Sequence, residues 1–123
     1  MMEKLLEIRT PDGTIDALLT RPASPVPLPA IINLTDGLGF RPAFADQAKR
    51  IAEHGYVVLT PNIFYRTSKL PVFAFAPDFA DERTRTRFAE LKAPLTPDAM
   101  SATARRTSIS SPRSRSSRAV RWA

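Results

Sequence analysis

The side chains whose types and spacing could do chemistry gather at one turn and one strand end. Asp36-Gly37-Leu38-Gly39 follows the apolar run 30–35. A backbone N–H just past a strand end can stabilise the oxyanion formed when a nucleophile attacks a carbonyl, with Asp36 lining the pocket. Asp-Gly is also a common turn dipeptide, and spacing by itself favours the turn. His54 is the single histidine and a candidate general base. Its place in the last turn of a helix pattern, beside Gly55, favours a structural role instead. Arg83, Arg85 and Arg87 alternate along a second helix pattern. One of them could clamp a carboxylate in a bidentate pair, but a solvated charged face is the simpler reading. Tyr65-Arg66, after a strand end, is similarly open. The apolar loop 70–76 reads as a pocket wall or as core, and 72–76 has the uncharged, β-prone character of an aggregating segment.

The nucleophile is the sharpest question. A serine or cysteine exposed on a tight strand-to-helix turn needs a glycine on each side, because no side chain fits there. The four glycines are at 13, 37, 39 and 55, and no serine lies between closely spaced ones. Cysteine is absent, so there is no disulfide framework, thiolate metal site or cysteine nucleophile.

The elements that must position these residues read as an α/β fold. Runs 5–9 and 15–20 flank Pro11-Asp12-Gly13 and predict a β-hairpin. Residues 22–29 hold four prolines and form an extended connector. The run 30–35 is a buried strand. Pro42 then suits a first helical turn, and Phe44, Ala48, Ile51 and Ala52 share a face. Gly55 caps this helix, and 56–59 is the next strand, stopped by Pro61. Strand, helix and strand make a βαβ unit, which belongs to a parallel sheet. Asp78 is placed to cap a second helix, with Asp81 and Glu82 in its first turn. Ala80, Thr84, Phe88 and Leu91 share its inner face. Pro94 and Pro97 close it.

The composition changes after Met100. Residues 1–100 balance 12 basic against 12 acidic side chains, whereas 101–123 hold six arginines, seven serines and no acid. The net charge of +6 therefore belongs to this tail. A run with so little apolar content is expected to be disordered. A neutral domain makes nucleic acid a disfavoured partner. The alternative is a non-catalytic binding module whose run 111–118 contacts phosphates and is open to phosphorylation. The first twenty residues carry Glu3, Glu7 and Asp12, unlike a signal peptide, and no stretch is long enough to span a bilayer, so a cytoplasmic protein is expected.

The string Pro29-Ala30-Ile31-Ile32, Asp36-Gly37-Leu38-Gly39, Arg41-Pro42-Ala43, Arg50-Ile51-Ala52, His54-Gly55-Tyr56-Val57-Val58-Leu59, Pro61-Asn62 and Phe64-Tyr65-Arg66 resembles the dienelactone hydrolase family. The resemblance covers about 1–100 and includes Leu95-Thr96-Pro97-Asp98-Ala99. It implies the N-terminal part of an α/β-hydrolase sheet, built from the hairpin and the βαβ unit. It further implies cleavage of lactones or carboxylic esters, small-molecule substrates and no cofactor. By position, Asp36 matches a pocket acid, Gly37 matches the residue whose N–H contributes to the oxyanion hole, and Arg85 looks like the substrate-carboxylate arginine. The family's nucleophile, triad aspartate and histidine would all come later in sequence, so catalysis by these 123 residues alone is not expected. In the family the strand at 30–35 lies between the 56–59 strand and the nucleophile strand. Its open side here would be a sticky edge suited to self-association. An acid-free Arg/Ser/Ala/Pro run is what GC-rich coding DNA gives in a shifted frame. The expectation is a partial domain over 1–100 and a frameshifted tail over 101–123.

Overall fold

The structure, a computed structural model, describes residues 1–110. The expected phosphate-binding run 111–118 and the rest of the tail lie outside the described residues. Four strands and three helices follow in the order β1 (Met2–Thr10), β2 (Gly13–Arg21), β3 (Ala30–Ile32), α1 (Pro42–Ala52), β4 (Val57–Pro61), α2 (Glu82–Lys92) and α3 (Pro97–Ser110). The chain is α/β, as its periodicities predict.

β1 and β2 pair antiparallel in register from Met2 opposite Arg21 to Thr10 opposite Gly13. Gly13 takes φ +134°, a left-handed value that lets the chain reverse after Pro11-Asp12. β2 then pairs antiparallel with β4, and β3 pairs parallel with β4. The sheet order is β1-β2-β4-β3, so β3 is an edge among the described strands.

Strand pairing ends where donors run out. The expected strand at 30–35 is shorter, stopping at Ile32. Along this parallel pair Val57 N–H donates to the carbonyl of Pro29 at 2.9 Å, and Asn33 N–H donates to the carbonyl of Leu59 at 2.8 Å. In that alternation the next donor from β4 is residue 61, a proline with no N–H. The chain at Leu34 leaves the ladder, and the Leu34 side chain is exposed.

Side-chain alternation on the strands sets two cores. Ile15, Ala17 and Leu19 of β2 and Val57 and Leu59 of β4 pack with Ile8 and Tyr65 on one face. Val58, pointing the other way, packs under Ala48 and Ala52 of α1. Both alanines have no exposed surface, so small side chains set how closely α1 approaches the sheet. A third cluster joins Ile63 and Phe64 after β4, Val72 and Phe73 of the long loop, and Leu91 of α2. The segment 72–76 is thus largely core: Val72 and Phe73 are buried and Phe75 is partly buried.

Two helix starts differ from expectation. Asp81, not Asp78, caps α2, its carboxylate accepting from Arg83 N–H at 2.9 Å. Asp78 forms the preceding turn, accepting from Ala80 N–H through Oδ1. Ala80 consequently lies outside the helix and is exposed, while Thr84 and Leu91 are buried as expected. The larger correction is α3, which carries helix through 101–110, where disorder was expected. Thr96 is its cap, Oγ1 accepting from Ala99 N–H at 3.1 Å, and Pro97 occupies the first turn. Ala99, Ala102 and Ala104 supply strong helix formers. Arg66 docks the helix, its guanidinium donating to Thr103 Oγ1 at 3.0 Å and to the carbonyl of Ala99 at 3.1 Å.

Candidate functional site

The loop 33–41 joins the end of β3 to α1, and its backbone is folded by its own side chains. Asp36 Oδ1 accepts from Leu38 N–H at 3.0 Å, and the carbonyl of Asp36 accepts from Gly39 N–H at 2.9 Å. Arg41 closes the loop with a two-pronged pair: its guanidinium donates to Asp36 Oδ1 at 2.7 Å and to Oδ2 at 2.9 Å. It reaches the carbonyl of Gly39 at 3.3 Å and lies 5.2 Å from the centre of the Phe44 ring. The Arg41 hydrogen bonds hold the Asp36 carboxyl below the usual carboxylate range, against a smaller opposing effect of burial. The same pair raises the Arg41 guanidinium above its ordinary value.

Gly37 sits at the centre of this turn. With the amides of Leu38 and Gly39 engaged, Gly37 N–H has no hydrogen-bond partner among the described residues. Gly37 is exposed, in the loop that follows β3. The Phe88 ring of α2 lies over it, 3.5 Å from where a Gly37 Cβ would be. Phe79 meets Phe88 edge-on with ring centres 5.3 Å apart. Gly39 is packed harder. At φ +75° a Cβ there would come within 3.0 Å of Val72 Cγ2 and 3.2 Å of the Phe64 ring. The loop 70–76 therefore supports the turn from beneath. Thr35, just before Asp36, has a buried hydroxyl with no hydrogen-bond partner among the described residues.

Arg85 is not in contact with the acid. Its guanidinium donates to the carbonyl of Phe79 at 2.7 Å, which places it one aromatic pair away from Gly37. Arg83 pairs with Asp81 at 2.9 Å and lies over the Phe75 ring at 4.4 Å. Arg87 donates to the carbonyl of Val72 at 2.9 Å. Arg85 and Arg87 reach carbonyls of the long loop, while Arg83 and Arg85 stay exposed, as a solvated charged face predicts. The residue that spacing missed is Arg41. Its signal was present: opposite charges at 36 and 41 flank a Gly-x-Gly turn short enough for them to meet. His54 is placed as its position predicts, its Nδ1 2.8 Å from the carbonyl of Arg50 in the turn after α1, exposed and engaged with its own helix end. Among the described residues no group of three or more His, Asp or Glu side chains could hold a metal ion. No described helix is long and apolar enough to cross a membrane.

The family model for the "Dienelactone hydrolase family" matches residues 15–120. The chain belongs to the dienelactone hydrolase family. The match spans the loop at Asp36 and Gly37 and runs beyond Met100 into α3. No curated protein matches the chain significantly. A crystal structure titled "Putative Dienelactone Hydrolase from Klebsiella pneumoniae subsp. pneumoniae MGH 78578" superposes with a TM-score of 0.69 at 19% identity, over 87% of this chain. At that identity the likeness is one of fold. This member spans 42% of the length of that chain, so β1 to α3 correspond to less than half of the larger dienelactone hydrolase fold.

Proposed function

We propose that these residues form the oxyanion-hole side of a carboxylic-ester or lactone hydrolase. Gly37 N–H is the observation that carries this reading: it is the one amide of the 37–39 turn without a partner among the described residues, in the loop that follows β3. A carbonyl oxygen directed at it would gain a hydrogen bond that strengthens as negative charge develops on attack. Phe88 and Phe79 supply an apolar wall, and Arg85 stands behind that wall where a substrate carboxylate would sit. Asp36 acts through Arg41, fixing the turn that presents Gly37.

The attacking group is not supplied by these 123 residues, which contain no cysteine and no Gly-x-Ser-x-Gly turn. Hydrolysis then needs a nucleophile from polypeptide beyond them. The open side of β3 and the unpartnered Thr35 hydroxyl beside it support such a neighbour. With no neighbour, the same edge is suited to pairing with a second copy of the chain. The continuation of the family match to residue 120 weighs against a tail unrelated to the family after Met100.

Amide NMR of the labelled chain tests the reading. Titration with a dienelactone carboxylate should move the Gly37 and Phe88 resonances together. Shifts absent at Gly37, or spread evenly over the surface, would remove the reading.

A further inference from the structure

A second cleft lies between the β1–β2 turn and α3 and shares no residue with the Asp36–Arg41 loop. Its volume is about 450 Å³, within the range of small-ligand sites. Pro11, Ala102 and the Tyr65 ring form its apolar walls, and Asp12, Arg105 and Arg106 stand around it. Tyr65 is 7% exposed, yet its hydroxyl is barely engaged. Its contact with Thr10 Oγ1 is 3.5 Å, beyond the ordinary O–H···O range. Thr10 Oγ1 already donates to the carbonyl of Gly13 at 2.9 Å and accepts from Asp12 N–H at 3.1 Å. The Tyr65 proton is thus an under-used donor at the wall of a cavity.

The charges around the cleft are unbalanced. Asp12 is paired with Arg66 at 2.8 Å, and the Arg66 guanidinium also lies 4.6 Å from the centre of the Tyr65 ring. Arg105 and Arg106 have no acidic partner among the described residues. Two guanidinium groups without an acidic partner therefore line a largely apolar cavity whose one carboxylate, Asp12, is already paired with Arg66. We propose that this cleft binds a small organic oxyanion, a carboxylate or phosphate monoester on an apolar body. Arg105 and Arg106 hold the oxyanion in the forked geometry guanidinium groups favour, Tyr65 donates a further hydrogen bond, and the apolar body lies against Pro11 and Ala102. The cleft is independent of the ester-hydrolase reading, since its ligand needs neither Gly37 nor a nucleophile.

Calorimetry and amide NMR on the full chain, at about 150 mM salt to screen loose charge attraction, would use benzoate, phenyl phosphate and inorganic phosphate as probes. Saturable binding is expected, with shifts at Thr10, Asp12 and Ala102. Tighter binding of benzoate assigns a carboxylate ligand, and tighter binding of phenyl phosphate assigns a phosphate ester. The double variant Arg105→Gln/Arg106→Gln, altering exposed side chains, should weaken binding at least about tenfold, as expected for charged hydrogen bonds. Tyr65→Phe, which keeps the ring, should weaken it less, and Arg83→Gln should not change it. Absence of saturable binding for all three probes, or unchanged binding in the double variant, would overturn the proposal. Inorganic phosphate binding as tightly as both organic probes would overturn the part assigned to the apolar wall.

Discussion

The carboxylate of Asp36 is occupied by its own loop, Leu38 N–H on one oxygen and the Arg41 fork across both. Its folded pKa lies below the ordinary aspartate value. A depressed carboxyl contributes stability above its unfolded pKa and loses it as pH falls through the folded one. The turn should therefore be insensitive to pH from about pH 5 upward and open only in stronger acid. The Asp36 side chain is 53% exposed, so the pair is worth at most about 1 kcal/mol after solvent screening. A carboxyl-carbon NMR titration should place the Asp36 midpoint below 3.8 in the native chain. Arg41→Gln should return it towards the ordinary aspartate value. An unchanged midpoint in that variant would show that Arg41 does not hold the acid. The two glycines of the turn should separate cleanly. Gly39→Ala forces a Cβ to within 3.0 Å of Val72 at a left-handed φ. It should lower stability by about 1–3 kcal/mol. Gly37→Ala meets Phe88 at an ordinary 3.5 Å. It should change stability by no more than about 0.5 kcal/mol. Urea unfolding midpoints of the two variants measure this contrast.

At the level of elements, Arg66 is the tie between sheet and α3. Its side chain is 10% exposed and is shared between Asp12, Thr103 and the Ala99 carbonyl. Arg66→Met removes all three of these charged hydrogen bonds and should cost about 1–3 kcal/mol. Cutting the chain after Met100 should remove most α3 helicity from the circular dichroism spectrum and lower the unfolding temperature. A truncated chain as stable as the full one would show that α3 does not contribute. The same helix shows what the sequence revealed and what it hid. The hairpin, the βαβ unit and both helix faces were legible because alternation in β2 and β4 and the 3.6-residue spacing in α1 are local signals. α3 was hidden because its stability comes from a distant arginine and a threonine cap, while its composition matches that of a disordered tail. The early end of β3 was hidden because its cause, the missing N–H of Pro61, sits on the partner strand. At the site, Asp36 and Gly37 were legible as an acid and a backbone donor after a strand. Arg41 and the Phe88 wall depend on how the turn and α2 pack, which spacing does not encode.

For the whole molecule, the open edge is expected to govern behaviour in solution. β3 carries isoleucines at 31 and 32 and is followed by an exposed Leu34, with no strand on its outer side among the described residues. An apolar edge with unpaired backbone groups favours pairing with another chain. Size-exclusion chromatography should show association that rises with concentration. A single monomer with a cooperative transition above about 60 °C, high in the mesophile range, would mean the chain closes its own sheet. In the proposed function the chain holds the oxyanion side of an ester or lactone hydrolase without the group that attacks. Its most direct test is turnover of p-nitrophenyl acetate and dienelactone by the purified chain. No hydrolysis above background is expected. Turnover at an enzyme-like rate, on the order of 1 per second or faster, abolished by His54→Ala, would contradict it.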